Sequence, residues 1–299
     1  MNPAIQLRLG TLELTLEPAL GGCCSALRYH RRANAPVDLL RPLASGITDP
    51  FESGCFVLVP YSNRLFGQRL LMRNSEALTL PLNRNPGRHP VHGVGWTKRW
   101  NVESSANAHA TLAYHHAPDA HWPFEHACTL TVTLTTECAR FELALRNLSN
   151  DSMPAGLGFH PYFALDPDAL VRFAADSVWQ QDAEGVPCSL DPVQANPRFD
   201  FARLRPAAAV ELNHCFANWT GAAELRRPLH GLTVQVTADP GLSHLVVYRP
   251  PAQRWICIEP VSHATGALSL ERVNHGVRWL APGATAQASM AIRVLDSAD

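Results

Sequence analysis

The segment "TLTVTLTTE" (129–137) alternates Leu130, Val132 and Leu134 with threonines, and how that alternation is read decides the fold. A β-strand turns successive side chains to opposite faces. A period of two therefore collects the apolar residues on one face and the hydroxyls on the other. The pattern continues after a short polar break in "RFELALRN" (140–147), where Phe141, Leu143 and Leu145 share a face. It recurs upstream in "LELTLE" (12–17) and downstream in "GLTVQVTAD" (231–239) and "SMAIRVL" (289–295). Runs of this kind, bounded by Gly, Pro, Asn and Asp, predict half-buried antiparallel strands.

Helical periodicity is scarce. "DFARLRPAAAV" (200–210) predicts one short helix, stopped or bent at Pro206. The 24 prolines and 18 glycines are spread over many turns, with no internal repeat and no linker-like stretch. The expected architecture is mainly β: residues 1–299 as a single domain, a large antiparallel β-sandwich with few short helices.

Composition narrows the function. With 46% hydrophobic and 17% charged residues the chain is of ordinary globular type. Its 25 basic and 26 acidic residues leave a formal charge of −1, so no global field favours nucleic acid or an anionic membrane surface. The first residues, "MNPAIQLRLGTLELTLEP", show strand alternation rather than the apolar core of a signal peptide, and no run approaches a membrane-spanning length. The eight cysteines form no CxxC pair and are read as reduced, mostly buried thiols. The expected compartment is the cytoplasm.

Several stretches carry residues able to do chemistry. In "RWICIEPVSH" (254–263) a strand would point Ile256 and Ile258 one way and Trp255, Cys257 and Glu259 the other, with Glu259 at the strand end where Pro260 stops the pairing. A carboxylate beside Trp and Cys is partly desolvated, which raises its pKa and suits it to proton transfer. A rim glutamate paired with an arginine fits the same pattern. In "GLGFHPYFAL" (156–165), His160 is either a packed strand-end histidine or a proton carrier, imidazole being suited to exchange near neutral pH. "HPVHGVGW" (89–96) sets His92 before two glycines, where backbone can approach a ligand closely. "PYSNRLFG" (60–67) offers Asn63 and Arg64 as a hydroxyl-binding fork or as turn filler. The cluster "HHAPDAHWPFEHAC" (115–128), with His115, His116, Asp119, His121, Glu125 and His126, matches no zinc spacing and reads better as a solvated loop entering the next strand. No glycine-rich nucleotide cradle and no nucleophile elbow is present.

Taken in order, "PYSNRLFG", "HPVHGVGW", "WPFEHACTLTVTL", "LRNLSNDSMPAGLGFHPYF" and "ICIEP" resemble the aldose 1-epimerase (galactose mutarotase-like) family from about Phe56 to Leu270. The resemblance implies the galactose mutarotase-like supersandwich, with a sugar site in an open cleft and no cofactor or metal. It implies that Glu259 is the general base, His160 the general acid, and that His92 and Arg64 hydrogen-bond the sugar. Two departures stand out. Asn213, in "ELNHCFANW" (211–219), occupies the place where many members carry an aspartate, so it can bind a hydroxyl but brings no charge. The segment after Glu259, "PVSHATGALSL" (260–270), lacks the acidic residue and asparagine that are more usual. Three functions remain open. The resemblance implies a mutarotase acting on a free aldose. A hexose-phosphate epimerase would use Arg64, Arg69, Arg73, Arg84 or Arg88, but the Gly-Gly-Ile/Val-Pro block of that branch is missing from "GCFVLVPYSNR" (54–64). A non-catalytic carbohydrate-binding domain would have no reason to keep His160 and Glu259 together.

Overall fold

In the computed structural model, which describes residues 3–31, 35–74 and 76–296, the alternating segments are strands. The opening stretch falls in His126–Leu134, paired antiparallel with Cys138–Asn147 on one side and His109–His116 on the other. Leu130, Val132 and Leu134 are buried while Thr129, Thr131 and Thr133 are half-buried. From Cys138–Asn147 a ladder runs through Thr285–Asp296 and Leu232–Ala238 to the distal half of the 16-residue strand Leu212–Arg227. The proximal half of that strand starts a second ladder, through His244–Arg249, Trp255–Val261, Gly158–Ala164 and Cys55–Leu58. It ends, by way of Cys23–Tyr29 and Leu12–Glu17, at Ile5–Leu9. All of these pairings are antiparallel.

Leu212–Arg227 is thus the corner of the molecule. Its pairing with His244–Arg249 ends at Ala217 and its pairing with Leu232–Ala238 begins at Ala222. Between them Asn218 (φ 52°) and Gly221 (φ 80°) leave the extended region, which lets one strand serve both layers. The inner faces meet in one hydrophobic cluster. Phe141 of the first layer reaches Phe159 of the second, ring centroids 6.3 Å apart, and Leu245, Val247, Ile256 and Ile258 are buried around them. The sandwich expected from alternation is present.

Two local expectations fail. The 200–210 stretch forms no helix: the 3₁₀ turns Pro197–Phe199 and Ala207–Ala209 flank a two-residue strand, Arg205–Pro206, paired to Leu170 and Val171. The Arg205 guanidinium donates to the carbonyls of Pro197, Arg198 and Asp200, tying the chain into a loop that a helix could not match. Among the described residues the helical segments are all three-residue 3₁₀ turns. Nor does Pro260 end its strand, since Val261 still pairs with His244 and Gly158. Between Gly158↔Val261 and Tyr162↔Cys257 the two strands have no paired residues, and both Pro161 and Pro260 fall in that gap, where a missing N–H deprives this pair of nothing.

All eight cysteines are free and six are buried, as their distribution predicted. Among the described residues no helix is long and apolar enough to cross a membrane.

Candidate active site

The outer face of the second layer forms the floor of an open cleft of about 570 Å³, a size ordinary for a small-molecule site. Register decides which side chains reach it. His160 lies opposite Phe56, Tyr162 opposite Cys257, Glu259 opposite Val246, Cys257 opposite Tyr248 and Tyr248 opposite Asn213. The period of two then sends Phe159, Ile256 and Ile258 into the core and His160, Tyr162, Cys257 and Glu259 to the cleft face. The gap between the paired ends of Gly158–Ala164 and Trp255–Val261 is where His160 and Glu259 stand.

His160 Nε2 is 3.5 Å from Glu259 Oε1, and both side chains are almost fully buried while lining the cleft. The imidazole is sandwiched between Phe56 (centroids 4.7 Å, 21°) and Tyr162 (4.6 Å, 17°), which fixes the ring plane. Burial pushes the Glu259 carboxyl well above the usual carboxylate range, with Arg64 drawing it partly back. Burial, reinforced by the Arg41 charge, takes His160 down to about 3. Both shifts favour uncharged forms. Burial thus works against a buried ion pair and favours keeping a single shared proton on the Glu259 carboxyl.

The wall opposite is built by backbone. Asn63 and His92 both have φ of 60°, an uncommon conformation for residues with a Cβ. They hold each other there: the Asn63 N–H donates to His92 Nδ1 at 3.0 Å, and the His92 N–H donates to Asn63 O at 3.0 Å. With Nδ1 accepting, His92 carries its proton on Nε2 and is a donor. Burial, with the neighbouring His160 ring and the Arg64 and Arg84 charges opposing protonation, keeps it neutral. One residue earlier, the Ser62 N–H donates to His263 Nε2 at 3.1 Å, and His263 Nδ1 donates to Ala264 O at 2.9 Å. The unusual sequence after Glu259 therefore supplies a buried brace for the Asn63–Arg64 turn.

The cleft lining brings together all six residues singled out in the sequence: His160, Glu259, Arg64, His92, Asn63 and Asn213. The Asn63 side chain is partly committed to its turn, its Oδ1 accepting the Arg64 N–H. Asn213 is positioned through its backbone, the Gln181 amide donating to its carbonyl at 2.8 Å. The glycines beside His92, expected to let backbone come close to a ligand, pack against Val59, whose carbonyl oxygen would lie 2.2 Å from a Cβ at Gly93. Of the five arginines considered for a phosphate, Arg64, Arg84 and Arg88 line the cleft, whereas Arg69 and Arg73 do not. Arg84 is bidentate to Asp49 and stacks on Phe51. The His115–His126 cluster is only partly a solvated loop. His116 and His126 pair across adjacent strands, buried and stacked 4.7 Å apart; Tyr114 and the Phe124 carbonyl meet both His126 ring nitrogens and the Trp122 carbonyl meets His116 Nε2, while His116 Nδ1 is buried without a partner. Residues 117–120 are exposed. Sequence reasoning passed over Tyr248, which "SHLVVYRP" (243–250) offers on alternation, and over the cleft-lining His89 and Glu184, for which no local signal exists.

This large antiparallel sandwich is a galactose mutarotase-like fold. A family model for aldose 1-epimerase matches residues 12–293, and the chain belongs to that family. It is similar to the uncharacterised protein YphB of Escherichia coli K12, 29% identical over 268 residues that cover 86% of this chain and 88% of that one. Among solved structures it resembles a galactose mutarotase-like protein from Clostridium acetobutylicum (TM-score 0.85, 17% identity, 98% and 95% of the two chains). It also resembles the GalM/aldose epimerase homologue of Caenorhabditis elegans (TM-score 0.80, 17% identity, 98% and 99%). Family and fold together support an epimerase-type activity on a carbohydrate.

Proposed function

We propose that the protein is an aldose 1-epimerase that interconverts the α and β anomers of a free aldose. The observation that carries this reading is the buried His160–Glu259 pair, 3.5 Å apart, at the floor of an open cleft of small-molecule size. Anomer exchange needs one proton removed from the C1 hydroxyl and one delivered to the ring oxygen. A pair holding a single proton supplies both. On sugar binding, the C1 hydroxyl and Arg64 favour the carboxylate, and the pair's proton passes to His160. Glu259 accepts the O1 proton as His160 donates to O5, and the C1–O5 bond breaks to leave the open-chain aldehyde. The C1–C2 bond rotates, O5 attacks the other carbonyl face, His160 recovers the O5 proton and Glu259 returns one to O1. These steps are complete with protein groups alone, and each positioned acid or base typically contributes about 10²–10⁴-fold. His92 Nε2–H, Arg64, Asn63 and Asn213 hold the sugar hydroxyls.

The test is polarimetry of freshly dissolved α-D-glucose, α-D-galactose and a panel of other free aldoses. An accelerated approach to the equilibrium rotation is expected, and flat traces throughout would overturn the reading. A second reading, a sugar carrying a phosphate, draws on Arg64 and Arg88, which line the cleft and, among the described residues, form no salt bridge. Acceleration with glucose 6-phosphate and none with free sugars would select it. Flat traces with retained sugar binding would select a carbohydrate-binding domain.

A further inference from the structure

Cys257 has no part in the proton exchange described above, yet it stands on the same face of the same strand as Glu259, two residues away, opposite Tyr162. One ligand atom each from His160, Cys257 and Glu259 all lie within 4.8 Å of one another, and all three residues are buried. Tetrahedral coordination at about 2.0–2.3 Å needs its donors only slightly closer together, a change within reach of side-chain torsions. Two further observations mark the group. His160 Nδ1 is buried without a hydrogen-bond partner, so no bond there fixes the tautomer, and the ring can carry its proton on Nδ1 and present the Nε2 lone pair toward Glu259. The donor set also balances charge: one thiolate and one carboxylate cancel a divalent cation, and the imidazole completes a neutral assembly, the form that burial tolerates. Thiolate with imidazole selects zinc-like ions over magnesium or calcium. His160 and Glu259 line the cleft, so a cation has a route in and the cleft side leaves a fourth position for water.

We propose that His160, Cys257 and Glu259 form a binding site for zinc or a similar soft divalent cation, and that occupancy arrests the enzyme. Binding forms metal–sulfur and metal–oxygen bonds, releases the Cys257 thiol proton and the Glu259 carboxyl proton to solvent, and takes the ring-nitrogen and carboxylate lone pairs that the anomer exchange uses. The inhibition rests on the proposed function; the binding does not.

The experiment uses the full-length protein, reduced and without a histidine tag, and two readouts. Cobalt(II) is added first, because a thiolate–cobalt charge-transfer band in the near ultraviolet and intense visible bands report tetrahedral ligation independently of turnover. Zinc chloride is then titrated into the mutarotation assay and reversed with EDTA. The wild type is expected to show the thiolate band and to be inhibited reversibly. Cys257→Ser and Cys257→Ala should keep the basal rate, lose the band and need at least tenfold more zinc for half-inhibition. Cys188→Ser, removing the exposed thiol, should behave as the wild type. No thiolate band in the wild type, a band lost in Cys188→Ser, or unchanged zinc inhibition in both Cys257 variants would each overturn the proposal. A protein that binds cobalt through Cys257 but turns over no sugar would sink the functional reading and keep the site.

Discussion

Glu259 sits buried on the cleft floor at a cost to the fold. Its carboxyl is buried, so its pKa in the folded protein lies well above the value of 4.5 that it recovers on unfolding. Above pH 4.5 the unfolded chain releases a proton that the folded one keeps, and stability falls as pH rises through that window. Glu259→Gln is therefore expected to raise Tm at pH 7, with the gain shrinking toward pH 4, while cutting kcat by 10²-fold or more. Thermal melts at several pH values, run beside polarimetry, check both halves; a lower Tm at pH 7 would contradict the assignment of a costly buried carboxyl. The same pair sets the pH profile. His160 protonates only at about 3, so kcat/KM should stay level on the acid side through pH 6.5, where an ordinary histidine would bring it down. An acid limb centred near 6.5 would show that His160 is not held neutral.

The elements show why a turn matters as much as the strands. The His92 turn packs against Val59, where Gly93 has φ of 69° and a Cβ would meet the Val59 carbonyl at 2.2 Å. Gly93→Ala should push that turn away and break the Asn63–His92 exchange of hydrogen bonds. An increase of tenfold or more in KM is expected, with the protein still folded by circular dichroism. Much of this level was legible in the sequence. Alternation marked the strands, and in "RWICIEP" it separated the core residues Ile256 and Ile258 from the cleft residue Glu259. The motifs "HPYF" and "ICIEP" pointed to His160 and Glu259, which meet on the cleft floor. What alternation does not carry is register. Nothing local to "SHLVVYRP" says that Tyr248 lies between Asn213 and Cys257, because strand partners are chosen by contacts far away in sequence. The failed helix at 200–210 has the same origin, since Arg205 finds its carbonyl partners through the tertiary loop.

At the scale of the molecule, buried histidines govern acid tolerance. His126 and His160 are lowered to about 3 and His244 and His263 to about 4, burial being the first cause in each. Because the folded values are depressed, the unfolded chain binds these protons first. Their stability is full above pH 6.5 and is lost as pH falls toward those values. Each site removes about 1.4 kcal/mol per pH unit across its window. Denaturation in urea should show a steep loss of stability between pH 6.5 and 5, and a flat profile there would refute the neutral, buried state. We propose that residues 1–299 unfold as one unit, with near- and far-ultraviolet circular dichroism following the same transition.

The strand Leu212–Arg227 has a mechanical consequence. One length of covalent backbone is hydrogen-bonded into both layers, to His244–Arg249 by its first half and to Leu232–Ala238 by its second. Tension that tries to peel the layers apart is carried along that backbone, and it must shear two ladders lengthwise before the sandwich can delaminate. The floor of the cleft, which includes Asn213 near the beginning of this strand, is thereby anchored to the far layer, and a pull on that layer loads the cleft directly.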